Sequence, residues 1–242
     1  MSLYEYDVVN STNRVLWDLL AQGHREGTTV IAARQDAGRG QWGRFWQSEP
    51  GGLYLSVALE PQCPVAEGGQ LMLCTTWGIA AVLRHYGVPV QIKWFNDLVI
   101  GRQKLGGILI ETRMAQGQIS QAVVGVGINW ENSVPETGIT LKSVVTQRNI
   151  PSITRLEEVG AIALNGILAG YSYWKIHGID PILPAYQSLL TRIGTPIQIH
   201  QSSGQVLGVT ANGHLRVMEL DQAGNAVTEL QFKPGDIQLG YR

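Results

Sequence analysis

The sequence predicts an α+β protein, with a mixed or antiparallel sheet flanked by helices and a small β-barrel at the C-terminal end. Three observations carry this. Short apolar and β-branched runs, separated by turn residues, recur up to residue 130. Stretches with helical spacing interrupt them and then follow them. After Ile193 the helical spacing stops, and only short strand-like runs remain.

The elements follow in order. Residues 3–9 alternate as a first strand. Ser11 and Thr12 then cap a helix reaching about Ala21, with Val15, Leu16, Leu19 and Leu20 on its apolar side and Gly23 as its stop. Residues 28–33 are β-branched and read as a buried strand. Residues 38–52 hold five glycines, Pro50, Arg39 and Arg44, and form a loop; 53–59 resume as a strand. Residues 67–86 read as a buried helix closed by Gly87. Four further strands are expected at 91–94, 97–100, 104–112 and 118–130. A capping box at 154–157 precedes a helix carrying Val159, Ala163, Ile167, Tyr171 and Trp174, and Asp180-Pro181 opens another. Short strands at 197–200, 205–210, 214–220, 227–232 and 237–239 complete the chain, with Asn212-Gly213 as a hairpin turn. That pattern suggests a barrel, so the expected division is a domain of residues 1–193 and a barrel of residues 194–242.

Composition excludes several classes. Of 242 residues, 44% are hydrophobic and 15% charged, which supports a packed core and argues against disorder. A formal net charge of −1 is wrong for a surface built mainly to hold nucleic acid. Cys63 and Cys74 have no metal-ligand spacing and read as free thiols of a reducing compartment. No stretch approaches the ~20 apolar residues of a membrane span, and the first residues lack the pattern of a signal peptide. The expectation is a cytoplasmic protein without a membrane partner.

Gly38-Arg39-Gly40-Gln41-Trp42-Gly43 formally matches a dinucleotide fingerprint. Ser48, Pro50, Gly51 and Gly52 follow, however, where that fingerprint needs a helix to start. The loop suits close backbone approach to a ligand, and Arg39 and Arg44 suit carboxylate or phosphate oxygens. Downstream, Lys93-Trp94-Phe95-Asn96-Asp97 and Lys104-Leu105-Gly106-Gly107-Ile108 would bring lysine, amide and carboxylate together in a hairpin. Gly125-Val126-Gly127-Ile128-Asn129 is an apolar strand ending in an amide. Its glycines mark either bulges or room for a flat ligand. Each stretch also has a plain alternative: a solvated loop, turn chemistry at Asn96-Asp97, or a strand-end cap at Asn129.

Taken in order, these stretches resemble the catalytic domain of biotin–protein ligases. That family pattern runs Ser-Thr-Asn, a Gln before Gly-Arg-Gly-Arg-x-Gly-Arg, then Lys-Trp-Pro-Asn-Asp, Lys-Leu-x-Gly-Ile and Gly-x-Gly-Ile-Asn. This chain supplies Ser11-Thr12-Asn13, Gln35, residues 38–44, 93–97, 104–108 and 125–129. Phe95 stands where the pattern has Pro, and Gln41 where it has a further Arg. The resemblance implies a catalytic domain like that of class II aminoacyl-tRNA synthetases, with an SH3-like barrel behind it. It implies that biotin and ATP form biotinyl-AMP, which then acylates a lysine of a biotin carboxyl carrier protein.

By the same resemblance, Ser11, Thr12, Asn13, Gln35, Arg39, Gly40, Gln41, Lys104 and Gly107 contact biotin. Arg39, Arg44, Trp94, Asn96, Lys104 and Asn129 contact ATP. Arg39, Lys104 and Asp97 serve the chemistry, with Asp97 facing the incoming lysine amine as base or as an orienting carboxylate. Mg²⁺ arrives on the ATP phosphates, with no metal site of the protein's own. Arg39, Lys104 and that ion would screen the repulsion between two anions. The glycine-arginine loop should close over the adenylate and keep water away. Ten residues precede Ser11, so no helix-turn-helix arm and no DNA partner are expected; a homodimer is compatible with the sequence. A lipoate or octanoate ligase of the same broad fold is the nearest rival, and it would want an apolar tunnel in place of Ser11, Thr12 and Gln35.

Overall fold

The structure, a computed structural model, describes residues 2–199, 202–237 and 239–240. Its main sheet runs in the order β1 (Ser2–Val9), β2 (Thr28–Gln35), β3 (Gly52–Leu59), β8 (Gln118–Asn129), β7 (Gln103–Ala115), β6 (Asp97–Ile100) and β5 (Gln91–Lys93). A short β4 (Cys63–Pro64) pairs with β8. β1 and β2 are parallel, because helix α1 (Thr12–Ala21) carries the chain back across the sheet between them. The other neighbours are antiparallel, so the sheet is mixed as predicted.

Helix α2 (Gly68–His85) buries Leu71, Met72, Leu73, Cys74, Ile79 and Leu83, an apolar surface too wide for one face. It lies between the sheet and α4 (Leu156–His177). Gly78, Gly166 and Gly170 let the two helix backbones touch: a Cβ on Gly78 would stand 2.1 Å from the Gly166 carbonyl oxygen. α3 (Leu141–Arg148) has a weak apolar pattern and was not legible in the sequence; α5 (Ile182–Leu189) starts after Pro181 as expected.

Two local expectations need correction. At the start of α4 the reaching carboxylate is that of Glu158, not Glu157: it accepts the backbone N–H groups of Thr154 and Arg155 at 2.6 and 3.3 Å. Ser11 occupies the N-cap of α1, yet its hydroxyl makes no capping hydrogen bond.

The C-terminal strands β9 (Pro196–Ile199), β10 (Ser202–Val209), β11 (Leu215–Leu220) and β12 (Ala226–Phe232) form one antiparallel meander. Residue 200 of one expected strand and residue 238 of the last lie outside the described residues. A separate small β-unit thus follows the main sheet as predicted; among the described residues its strands are not closed into a ring, and Ile237 makes an isolated bridge to Pro234. This unit packs against the main body, since Ile197, Val206 and Leu215 belong to the same apolar cluster as Leu73, Ile92 and Tyr186. The Trp94 indole N–H donates across this seam to the Gly213 carbonyl at 2.9 Å. Among the described residues no helix is long and apolar enough to cross a membrane.

Candidate active site

Sheet register brings the separated motifs together. Lys93 on β5 pairs with Asp97 on β6, Asp97 with Gly107 on β7, and Gly107 with Gly127 on β8. The next row on the same face holds Leu109, Gly125 and Ser56 of β3. No bulge falls at Gly125 or Gly127. Their missing side chains instead make room for protein groups: a Cβ would lie 2.2 Å from Asn13 Oδ1 at Gly125 and 2.5 Å from Trp46 Nε1 at Gly127.

The first turn of α1 sits against this face and is tied down by polar contacts. The Ser56 hydroxyl donates to Asn13 Oδ1 at 2.6 Å and lies 2.8 Å from Thr12 Oγ1. Gln35 Oε1 accepts the Thr12 backbone N–H at 2.9 Å, and Gln35 Nε2 donates to Ser48 Oγ at 2.8 Å. Ser48 in turn donates to the Trp46 carbonyl at 3.0 Å. Thr12, Asn13 and Gln35 thus brace one another and the end of the glycine-arginine loop.

That loop folds back as a small hairpin. Gly40 N–H donates to the Arg44 carbonyl at 2.7 Å, Trp46 N–H to that of Gly38 at 3.0 Å, and Arg39 bridges Phe45. Trp42 at the tip takes a left-handed backbone, φ 61° and ψ 33°, which is costly for a bulky side chain. It is 64% exposed, and its ring lies against Gly235, where a Cβ would come within 2.9 Å of Trp42 Cζ2.

On the other side, Lys104 Nζ is 2.7 Å from Asp97 Oδ1 and 5.0 Å from the Trp46 ring centroid. Lys93 Nζ is 3.6 Å from Asp97 Oδ2. Burial pushes the Lys93 ammonium below its ordinary range; Asp97 opposes this, while Lys104 and Arg44 add to it.

These groups surround a cavity of about 720 Å³. Its lining includes every site residue the sequence pointed to except Asn129. Asn129 is buried and donates to the carbonyls of Lys104 and Ile139 at 3.3 and 3.4 Å, so it holds the connection after β8. Asn96 and Trp94 do line the cavity, but their N–H groups are engaged: Asn96 Nδ2 donates to the Ile108 carbonyl at 2.8 Å, and Trp94 to Gly213 as above. Sequence reasoning missed Trp42, Phe45, Trp46 and, near the C-terminal end, residues 234–237, 239 and 240, all of which line the cavity. Trp46 follows the loop motif as an aromatic in a polar stretch, a signal that was available. The C-terminal segment offered only its Pro-Gly-Asp turn.

Arg39, Arg44, Lys93 and Lys104 line the cavity against two carboxylates, Asp97 and Asp236, so the site favours anions. No cluster of three His, Cys, Asp or Glu able to hold a metal is present among the described residues.

The model of the biotin/lipoate A/B protein ligase family matches residues 5–129. The bifunctional ligase/repressor BirA of Bacillus spizizenii is 28% identical over 243 residues, 97% of this chain and 73% of that protein. The protein of the same name from Escherichia coli is 32% identical over 207 residues, covering 84% of this chain and 64% of its own length. The fold is that of the Aquifex aeolicus biotin protein ligase solved with biotin and ATP, with TM-score 0.74 at 24% identity, over 96% of this chain and 95% of that one. Because the matched segment spans more than half of the sequence and contains the strands and loop that build the cavity, this chain belongs to the biotin/lipoate A/B protein ligase family.

Proposed function

We propose that this chain is an ATP-dependent biotin–protein ligase. It joins biotin and ATP into biotinyl-5′-AMP and then passes the biotin to a lysine of a biotin carboxyl carrier protein. One observation carries the reading: a single cavity joins a polar cluster at the start of α1 to the cations of the glycine-arginine loop and the β5–β7 strands. Ser11, Thr12 and Gln35 suit the ureido ring, with its two N–H donors and one acceptor. Asn13 and the backbone at Gly40 and Gly107 shape the same end.

In the first step the biotin carboxylate oxygen bonds to the α-phosphorus of ATP and pyrophosphate leaves. Arg39 and Lys104 hold the two approaching anions, with Arg44 and Gln41 on the phosphate side. Mg²⁺ enters as part of the ATP substrate. In the second step a neutral lysine amine attacks the acyl carbon, the C–O bond to phosphate breaks and AMP leaves. Two lysine ammonium groups already contact Asp97, which supports an orienting role for this carboxylate over a basic one. Trp94 and Asn96 support the nucleotide end through the hairpin they hold, and Asn129 supports it indirectly.

Two further readings belong with this one. The C-terminal segment that lines the cavity supports a barrel domain, residues 194–242, working with a catalytic domain of residues 1–193. Two buried free thiols, Cys63 and Cys74, suit a cytoplasmic enzyme.

Incubating the protein with biotin, ATP, Mg²⁺ and a carrier domain should add the mass of one biotinyl group to the carrier. Folded protein that adds none would refute the ligase reading. The polar end of the cavity favours biotin over lipoate, and lipoate should fail to compete.

A further inference from the structure

Glu111 lies outside every motif read from the sequence, yet it makes the contact that fixes the Arg39 guanidinium. Arg39 Nη2 is 3.0 Å from each carboxylate oxygen. Glu111 Oε2 also accepts Asn13 Nδ2 at 2.8 Å, and Asn13 Oδ1 accepts the Ser56 hydroxyl at 2.6 Å. Asn13 is 3% exposed and Ser56 fully buried. A line of polar contacts therefore runs from the sheet interior to the glycine-arginine loop. Register explains it: Ser56 faces Gly125, Gly125 faces Leu109, and Glu111 stands two residues further along β7 on the same face. The missing side chain of Gly125 leaves the space that Asn13 fills.

Arg39 lines the cavity, and Glu111 does not. The carboxylate braces the guanidinium through Nη2 alone; among the described residues Nε and Nη1 have no hydrogen-bond partner. Those donors are left for an anionic ligand. An arginine on a glycine-rich loop loses much rotamer freedom when it engages a transition state. A carboxylate that fixes it beforehand removes that cost from the reacting step.

We infer that Glu111, supported by Asn13, is a positioning residue that presets Arg39 for the carboxylate and phosphate of the adenylate. This rests on the ligase reading and recasts Asn13 as a brace. The test is steady-state biotinyl-AMP formation, followed by pyrophosphate release, in the full-length protein and four variants. Glu111→Gln should lower kcat about tenfold, the size of losing one charge-assisted hydrogen bond, with KM for biotin within about twofold. Glu111→Asp should keep kcat within about threefold. In an Arg39→Ala background, Glu111→Gln should cost nothing further, since its effect passes through Arg39. A tenfold loss persisting in that background would mark Glu111 as merely structural and overturn the inference. So would unchanged kcat in Glu111→Gln while the parent turns over. A parent that forms no biotinyl-AMP would sink the ligase reading, and this inference with it.

Discussion

Replacing Gln41 by arginine is expected to slow the escape of biotinyl-AMP about tenfold. Gln41 lines the cavity on the loop that carries Arg39, where the family pattern has a second arginine. Its backbone is not among the left-handed residues of the chain, unlike neighbouring Trp42, so an arginine enters without backbone strain. A hydrogen bond from a charged donor contributes about 1.5–3 kcal/mol. Gln41 is only half-buried, so solvent screening argues for the low end. At about 1.4 kcal/mol per decade, that corresponds to roughly tenfold in the dissociation rate. The assay loads each protein with labelled biotin and ATP, chases with unlabelled biotin, and follows the label still bound. Gln41→Glu should move the rate the other way. Equal release from the parent and Gln41→Arg would show that this position does not touch the adenylate, and would remove the electrostatic reasoning.

Trp42→Ala removes the contact between the loop tip and Gly235; it should speed adenylate release a few-fold and leave the thermal midpoint unchanged, because Trp42 is largely exposed. An unaltered release rate would show that the contact does not hold the loop. Gly78→Ala drives a Cβ to 2.1 Å from the Gly166 carbonyl oxygen, where both partners are backbone. Overpacking of about 1–3 kcal/mol should lower the melting temperature by roughly 3–10 °C, read by differential scanning calorimetry. Stability should also fall at alkaline pH. Burial raises the pKa of Cys74, Tyr54, Tyr171 and Tyr186 above ordinary values of 9.0 for the thiol and 10.0 for the phenols. Folded groups stay protonated while unfolded ones ionise, so their contribution is complete below pH 9 and declines above it. Lys93, shifted downward, works against this as a single group. Urea midpoints at pH 8 and pH 10.5 should differ, and Cys74→Ala should shrink the difference; identical midpoints would refute the account.

Much of the site was legible because backbone chemistry ties these motifs to their places. Glycine and arginine packed into residues 38–44 read as an anion loop, and Lys93, Asp97 and Lys104 read as a charged hairpin; all line the cavity. Asn129 was ambiguous, because an amide at a strand end serves a ligand or a loop equally well; in the fold its amide donates to the Lys104 and Ile139 carbonyls. Helix α3 was invisible, since its buried Leu141, Val144 and Val145 make too short a pattern against Lys142, Gln147 and Arg148.

By itself, then, the sequence determined the α+β class, most of the elements in their order, and the chemistry of the loop and hairpin, all of which rest on local spacing. Tertiary structure decided the rest. Pairing Ser56 with Gly125 and Gly125 with Leu109 set Glu111 behind Arg39, across strands that are distant in sequence. Packing the C-terminal meander on the main body brought Gly235 against Trp42. Such contacts depend on register and docking, and a one-residue slip in β7 would turn Glu111 to the other face without changing any local pattern.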